Sequence, residues 1–138
     1  MAQTLLVQDL MTRSPLTIDA SSSVADARRL MKRSGIRHLP VTDDGVLVGL
    51  ITDRDVKLIE DHSNADADEI ALAEAMSRAP WTVTPSTPLE VAVRHMARHK
   101  LGSSVVVENE AVVGIFTSQD GLRALAQVLA SSRIAPQR

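Results

Sequence analysis

A mixed α/β (α+β) fold of two β-α-β-β-α repeats, packed about a pseudo-two-fold axis, is what this sequence predicts. The first observation behind it is a constant register: residues 7–55 align with residues 72–120 at an offset of 65 positions, without insertion or deletion. Met11 meets Met76, Pro15 meets Pro80, Thr17 meets Thr82, Met31 meets Met96, Gly49 meets Gly114, Thr52 meets Thr117 and Asp55 meets Asp120. Roughly a quarter to a third of the pairs are identical, and most others exchange apolar residues, as Val24 with Leu89 and Ile51 with Phe116. The second observation is that each copy passes from a 3.6-residue apolar period to short continuous apolar runs and back. The third is length, because 138 residues are one domain's worth of chain. Two copies must then cover each other's apolar faces, and any cleft between them occurs twice.

Each copy opens with a short helical turn, at residues 7–11 and 72–76, followed by an extended stretch, Pro15-Leu16-Thr17-Ile18 and Pro80-Trp81-Thr82-Val83. A helix comes next. In the second copy Thr87-Pro88-Leu89-Glu90 has the form of a capping box with proline at the first helical position, where its missing N–H goes unneeded. Leu89, Ala92, Val93 and Met96 then make one apolar stripe, with Arg94, His95, Arg98 and His99 on the polar side. In the first copy Val24, Ala27 and Met31 repeat the stripe, Ser22 or Ser23 caps it, and Gly35 ends it. Two strands follow in each copy, residues 38–42 and 46–52, then 103–107 and 111–117. Asp43-Asp44-Gly45 and Glu108-Asn109-Glu110 join them as polar hairpin connections of about three residues. The runs VLVGLIT and AVVGIFT are nearly all apolar, which predicts cover on both faces. Helices starting at Asp53 and Ser118 close the copies. The last one is apolar beyond what one face requires through residues 122–130, so part of it is expected to meet a partner subunit. Residues 60–69 are acidic and almost free of large apolar side chains, and read as a solvated linker between units 1–65 and 66–138. A calcium loop fails there, since twelve positions counted from Asp61 or Asp66 end on Leu72 or Ser77 and not on a bidentate Glu.

Composition removes several function classes. A net charge of -2 with one Trp, one Phe and no Tyr leaves little to attract or stack nucleic acid. No stretch approaches the roughly 18 to 20 apolar residues that span a bilayer. The start MAQTLLVQDL lacks a basic region and a continuous apolar core, so a soluble, unexported, cytoplasmic protein without a membrane partner is expected. The absence of cysteine excludes disulfides, a Cys-based zinc site and a thiol nucleophile.

The most specific local signal is Gly49-Leu50-Ile51-Thr52-Asp53-Arg54-Asp55, echoed by Gly114-Ile115-Phe116-Thr117-Ser118-Gln119-Asp120. Each reads as a strand running into a helix N-terminus, where free N–H groups and the helix dipole favour an anion and a Thr hydroxyl can cap or reach a ligand. Asp three residues after that Thr lies in the first turn, where its carboxylate can accept both hydroxyls of a ribose. The same spacing also satisfies a plain capping pair, and the pattern leaves both readings open.

Together with MTRSPLTI and MSRAPWTV at the start of each copy and IRHLPV before the first hairpin, these motifs resemble a tandem pair of CBS domains, often called a Bateman module. The resemblance runs from about Val7 to about Leu125. It implies a regulatory module that binds AMP, ADP, ATP, S-adenosylmethionine or a dinucleotide between the repeats, with no required cofactor and no bond made or broken. Carried over by position, Asp55 and Asp120 would hold ribose, and Thr52 and Thr117 would touch ribose or phosphate. Thr17, Ile18, His38, Leu39 and Pro40 would frame one adenine, and Thr82, Val83 and Ser104 with its neighbours the other. Arg54 could neutralise phosphate. The second copy has Gly102-Ser103-Ser104-Val105 for Arg37-His38-Leu39-Pro40 and Gln119 for Arg54, so the first cleft is expected to be the occupied one.

Other residues have plainer readings. His95 and His99 have zinc spacing, but Arg94, Arg98 and Lys100 flank them, which points to a solvated helix face and no metal site. His38 reads as a packed histidine donating to a carbonyl as readily as a ligand contact, and Trp81 as a core cap more than a base-stacking platform. Arg28, Arg29, Lys32, Arg33 and Arg37 form the largest basic feature, read as a solvated face. No serine lies in a nucleophile elbow, so no catalytic residue and no enzyme activity are expected. The competing functions are an adenosyl-ligand sensor, acting in trans on a protein partner, and a homodimerisation scaffold with unused clefts.

Overall fold

Two four-stranded sheets organise the computed structural model, which describes residues 4–132. The first copy comprises α1 (Val7–Leu10), β1 (Thr12–Arg13), β2 (Ile18–Asp19), α2 (Val24–Ser34), β3 (His38–Asp43), β4 (Val46–Thr52) and α3 (Asp53–His62). After 3-10 turns at Ala67–Glu69 and Leu72–Glu74 come β5 (Ser77–Arg78), β6 (Thr82–Val83), α4 (Leu89–His99), β7 (Ser103–Glu108), β8 (Ala111–Thr117) and α5 (Ser118–Ser132). β2 lies parallel to β3 across the α2 crossover, and β3 and β4 form an antiparallel hairpin; β6, β7 and β8 repeat this. No helix among the described residues is long and apolar enough to cross a membrane.

The copies exchange their opening strands. β1 pairs with β8 and β5 with β4, both antiparallel, so the sheet orders are β1-β8-β7-β6 and β2-β3-β4-β5. Apolar anchors travel with the strands. Val7 is fully buried in the core formed by Val83, Leu89, Ala92, Met96, Val106 and Phe116 of the second copy. Ile70 and Leu72 pack reciprocally with Val24, Leu39, Val41, Ile51 and Val56 of the first. Glycine permits the approach. A Cβ at Gly49 would stand 3.0 Å from the Ser77 carbonyl oxygen and 2.5 Å from Met76 Sδ, and one at Gly114 would stand 3.1 Å from the Thr12 carbonyl oxygen and 2.5 Å from Met11 Sδ. The coincidence of Met11 with Met76 and Gly49 with Gly114 under the offset thus has a packing cause.

Several local expectations need correction. The hairpin loops are two residues long, Asp44–Gly45 and Asn109–Glu110, with φ of 52°, 81°, 53° and 68°. Such left-handed pairs match the twist of the flanking strands, which a three-residue loop would not need. Ser23 caps α2, its Oγ accepting the Asp26 N–H (3.1 Å) while Asp26 accepts the Ser23 N–H (2.9 Å). α4 does not form the expected box. Thr87 Oγ1 accepts the Thr84 N–H (3.0 Å), Glu90 pairs with Arg94 (2.9 Å), and the Leu89 N–H is taken by the Leu5 carbonyl (2.8 Å), so the N-terminal segment supplies the cap. Val93, placed on the buried stripe by spacing, is exposed. The acidic linker is also more than solvated chain: Glu60 pairs with Arg28 and Asp68 with Arg29, so the basic face of α2 meets the protein's own acidic segment.

The helix ends differ as well. Gly35 closes α2 at φ 66°, whereas Lys100 closes α4 at φ 55°, a conformation that strains a residue with a Cβ. Lys100→Gly is expected to stabilise the protein by about 1 kcal/mol, read as a higher urea midpoint at unchanged slope.

Candidate functional site

A cleft of about 790 Å3 opens where the copies meet. One wall is Thr12 of β1, the chain after that strand from Ser14 to Leu16, and the α2–β3 junction, Gly35 to His38. The other is the β8–α5 junction, Ile115, Thr117 to Asp120, Leu122 and Arg123. Both junctions are strand–helix boundaries, and each is tied to its partner junction within its own copy: the Ser118 N–H donates to the Gly102 carbonyl (2.9 Å), and the Asp53 N–H to that of Arg37 (2.9 Å).

Asp120 is the focus of this cleft. It is only 4 % exposed, although it opens α5. Its Oδ2 accepts the Thr117 N–H (2.9 Å) and hydroxyl (3.2 Å), and its Oδ1 accepts from Arg123 (3.0 Å). Thr12, carried over on the exchanged strand, places its hydroxyl 3.4 Å from both carboxylate oxygens. The capping pair and the cleft carboxylate are therefore the same group. Its oxygens already accept from Thr117, Thr12 and Arg123, so a ligand donor has to take the place of the long Thr12 contact or of Arg123, and the positive end of α5 stabilises its charge.

Thr52 and Asp55 form the matching pair at the start of α3, with N–H to carboxylate at 2.9 Å and N–H to hydroxyl at 3.1 Å, but they do not line this cleft. Their carboxylate lacks the arginine, since Leu58 stands where the second copy has Arg123. Arg54 is exposed on the same turn. His38 sits between the two junctions, opposite Thr52 in the sheet and lining the Asp120 cleft. Its ring packs on Gly102, where an added Cβ would come within 2.6 Å of Nε2, and it makes no hydrogen bond to a carbonyl among the described residues. Burial lowers its pKa, Arg37 lowers it further and Asp55 opposes them, which favours the neutral imidazole.

The remaining candidates lie further from this cleft. Ile18, Leu39 and Val83 give their side chains to the two cores, and Pro40 is buried beside them in β3. Thr17 is exposed just before β2, and Thr82 is half-buried opposite Val105. Ser104 is fully buried, and its hydroxyl, that of Ser103 and the Trp81 indole N–H have no hydrogen-bond partner among the described residues. Trp81 stacks on His95, ring centroids 3.5 Å apart and 15° from parallel, and His95 in turn leans on His99 at 4.3 Å. The ring stack is added on a helix face that stays largely solvated, as its spacing implied, since His99, Arg94 and Arg98 are exposed and His95 is half-buried. Desolvation lowers the pKa of His95, and His99 and Arg98 add to the effect.

The grouping of residues differs from the sequence reading in one important respect. Arg37 and His38 were expected to serve Asp55, and they line the cleft of Asp120. Thr12, Ser14, Leu16 and Arg123 join them unannounced. Arg123 was legible as an i, i+3 partner of Asp120, whereas Thr12 reaches Asp120 only through strand exchange.

Comparison with known proteins agrees with this architecture. The family model described as CBS domain matches residues 7–59 and again residues 69–127. The CBS domain-containing protein YhcV of Bacillus subtilis is 32 % identical over 114 residues, covering 83 % of this chain and 81 % of that protein. An inosine-5'-monophosphate dehydrogenase of Korarchaeum cryptofilum is 35 % identical over 120 residues, but these are 86 % of this chain and only 23 % of the enzyme. Among solved structures, an acetoin utilization protein of Vibrio cholerae superposes with a TM-score of 0.84 at 31 % identity, over 97 % of this chain and 100 % of that one. The CBS domain pair of MJ0100, in complex with 5'-methylthioadenosine and S-adenosyl-L-methionine, gives 0.82 at 28 % identity, over 91 % and 98 %. CBSX2 in complex with AMP gives 0.76 at 30 % identity, over 89 % and 97 %. With the model matched twice along the sequence and both sheets completed by exchange between the copies, the chain belongs to the CBS domain family, as a tandem pair.

Proposed function

We propose that this pair is a regulatory module of the cytoplasm that binds an adenosyl ligand of the AMP, ADP, ATP or S-adenosylmethionine type between its repeats and signals in trans to a protein partner. The observation that carries the reading is the buried carboxylate of Asp120, held beside the Thr117 hydroxyl on the floor of a cleft built from both copies. A ribose diol supplies two donors to such an acceptor, and the apolar side chains of Leu16, Ile36 and Ile115 offer a base its faces. The complexes of MJ0100 and CBSX2, which carry adenosyl compounds, support it. A ligand that touches both copies prefers one arrangement of them over another, and that difference is the signal.

Thermal unfolding with AMP, ADP, ATP, S-adenosylmethionine and NAD tests the proposal. At one hundred times its dissociation constant a ligand stabilises the protein by about 2.7 kcal/mol, and at least one adenosyl compound is expected to reach that. If none shifts the midpoint, the protein is instead a dimerisation scaffold. One observation favours that second reading: α5 leaves Leu122, Leu125, Val128 and Leu129 between 50 % and 60 % exposed. These residues would bury against a second copy in a homodimer.

A further inference from the structure

The 65-residue offset sorts the methionines of the described residues into two pairs, and the fold treats the pairs in opposite ways. Met31 and Met96 belong to the two cores and are 4 % and 6 % exposed. Met11 and Met76 stand directly before the exchanged strands β1 and β5, half-buried, next to strand residues that are exposed. Solvent therefore reaches these side chains, while each sulfur fills the notch left by a glycine of the other copy. A Cβ on Gly114 would stand 2.5 Å from Met11 Sδ and 3.2 Å from its Cε, and one on Gly49 would stand 2.5 Å from Met76 Sδ and 3.1 Å from its Cε. The chain holds no cysteine, so thioethers are the sulfur groups that an oxidant meets.

The notches are also where the exchange is easiest to undo. β1 and β5 are each two residues long and lie at the end of their sheets, with one neighbouring strand apiece. Ser14 and Ala79, directly after each strand, have φ of 47° and 50°, left-handed values that strain a residue with a Cβ. Packing of the thioether on the glycine opposes that strain.

We propose that Met11 and Met76 form a paired oxidation site, at which hydrogen peroxide converts both thioethers to sulfoxides and frees β1 and β5 from the sheets they complete. A sulfur lone pair attacks one peroxide oxygen, the O–O bond breaks and an S–O bond forms. Sulfur is oxidised by two electrons, and the second oxygen leaves as water with the proton of the first. The sulfoxide is polar and its oxygen is an acceptor. Kept in the notch, it faces the Thr12 or Ser77 carbonyl oxygen, which lies 3.1 Å or 3.0 Å from the same Cβ position. Turned out to water, it leaves the glycine uncovered. Either outcome loosens the strand, whatever the cleft between the copies binds.

Peptide mass spectrometry of the intact protein during exposure to hydrogen peroxide gives the order of oxidation. Met11 and Met76 are expected to oxidise about tenfold faster than Met31 and Met96 in the folded protein, and at the same rate as those in urea. The oxidised protein is expected to melt about 4 °C lower, with faster hydrogen exchange at residues 11–14 and 76–79 and unchanged protection in α2 and α4. The double variant Met11→Leu, Met76→Leu conserves volume, melts as wild type does and keeps its midpoint under peroxide. Equal oxidation of all these methionines in the folded protein, or unchanged melting and exchange once Met11 and Met76 are oxidised, overturns the assignment. So does a double leucine variant that loses as much to peroxide as wild type. Hydrogen exchange on oxidised wild type alone decides the matter if the leucine variant folds poorly.

Discussion

Asp120→Asn is expected to reduce ligand affinity about tenfold or more with little change in the free protein's melting, because charge-assisted acceptance of a diol is lost while the carboxamide oxygen still serves the cap. The Thr117 N–H, 2.9 Å from the carboxylate, needs only an acceptor and not a charge. Asp120→Ala goes further. It leaves that N–H and Arg123 without their partner, at a cost of about 1 to 3 kcal/mol, and it removes ligand-induced stabilisation. Thermal unfolding of both variants with and without AMP separates the two roles. Asparagine binding as tightly as aspartate would show that the carboxylate serves only the helix.

The largest effect on stability is expected at Gly114. A valine there brings its Cβ to 3.1 Å from the Thr12 carbonyl oxygen, and its methyl groups reach further toward β1. Met11 can turn its thioether aside, but the backbone of β1 is hydrogen-bonded to β8 and cannot move without leaving the sheet. Destabilisation by about 2 to 3 kcal/mol follows from this overpacking, and Gly49→Val repeats it against Ser77. Gly121→Ala is the control, since its Cβ would meet nothing nearer than Phe116 Cζ at 3.7 Å. There the helical position favours alanine by about 0.5 to 1 kcal/mol. Denaturant melts of the three proteins check the ordering; Gly114→Val as stable as wild type would show that β1 is not held by close approach.

Much of this was legible in the residues. The constant offset announced the repeat, the Thr and Asp pairs marked both strand–helix junctions, and Ser23 and Gly35 bounded α2 because caps are local chemistry. What could not be read was long-range. The expected box at Thr87 failed because the Leu5 carbonyl, over eighty positions away, already satisfied the helix. Arg37 and His38 were grouped with Asp55 alone, which does act on His38, because neighbouring sequence says nothing of the Asp120 cleft that they also line. The stack of Trp81 on His95 also needs β6 and α4 to meet, which spacing within either element does not specify.

The traded edge strands carry a consequence for ancestry and assembly. A chain with only one copy would own a sheet lacking its last strand and a core lacking Val7 or Leu72, and it could fill both gaps only by meeting its twin. Such a half-length relative is an obligate pair of subunits by topology. The acidic segment between the copies converts that encounter between molecules into an internal one, so that assembly no longer depends on concentration.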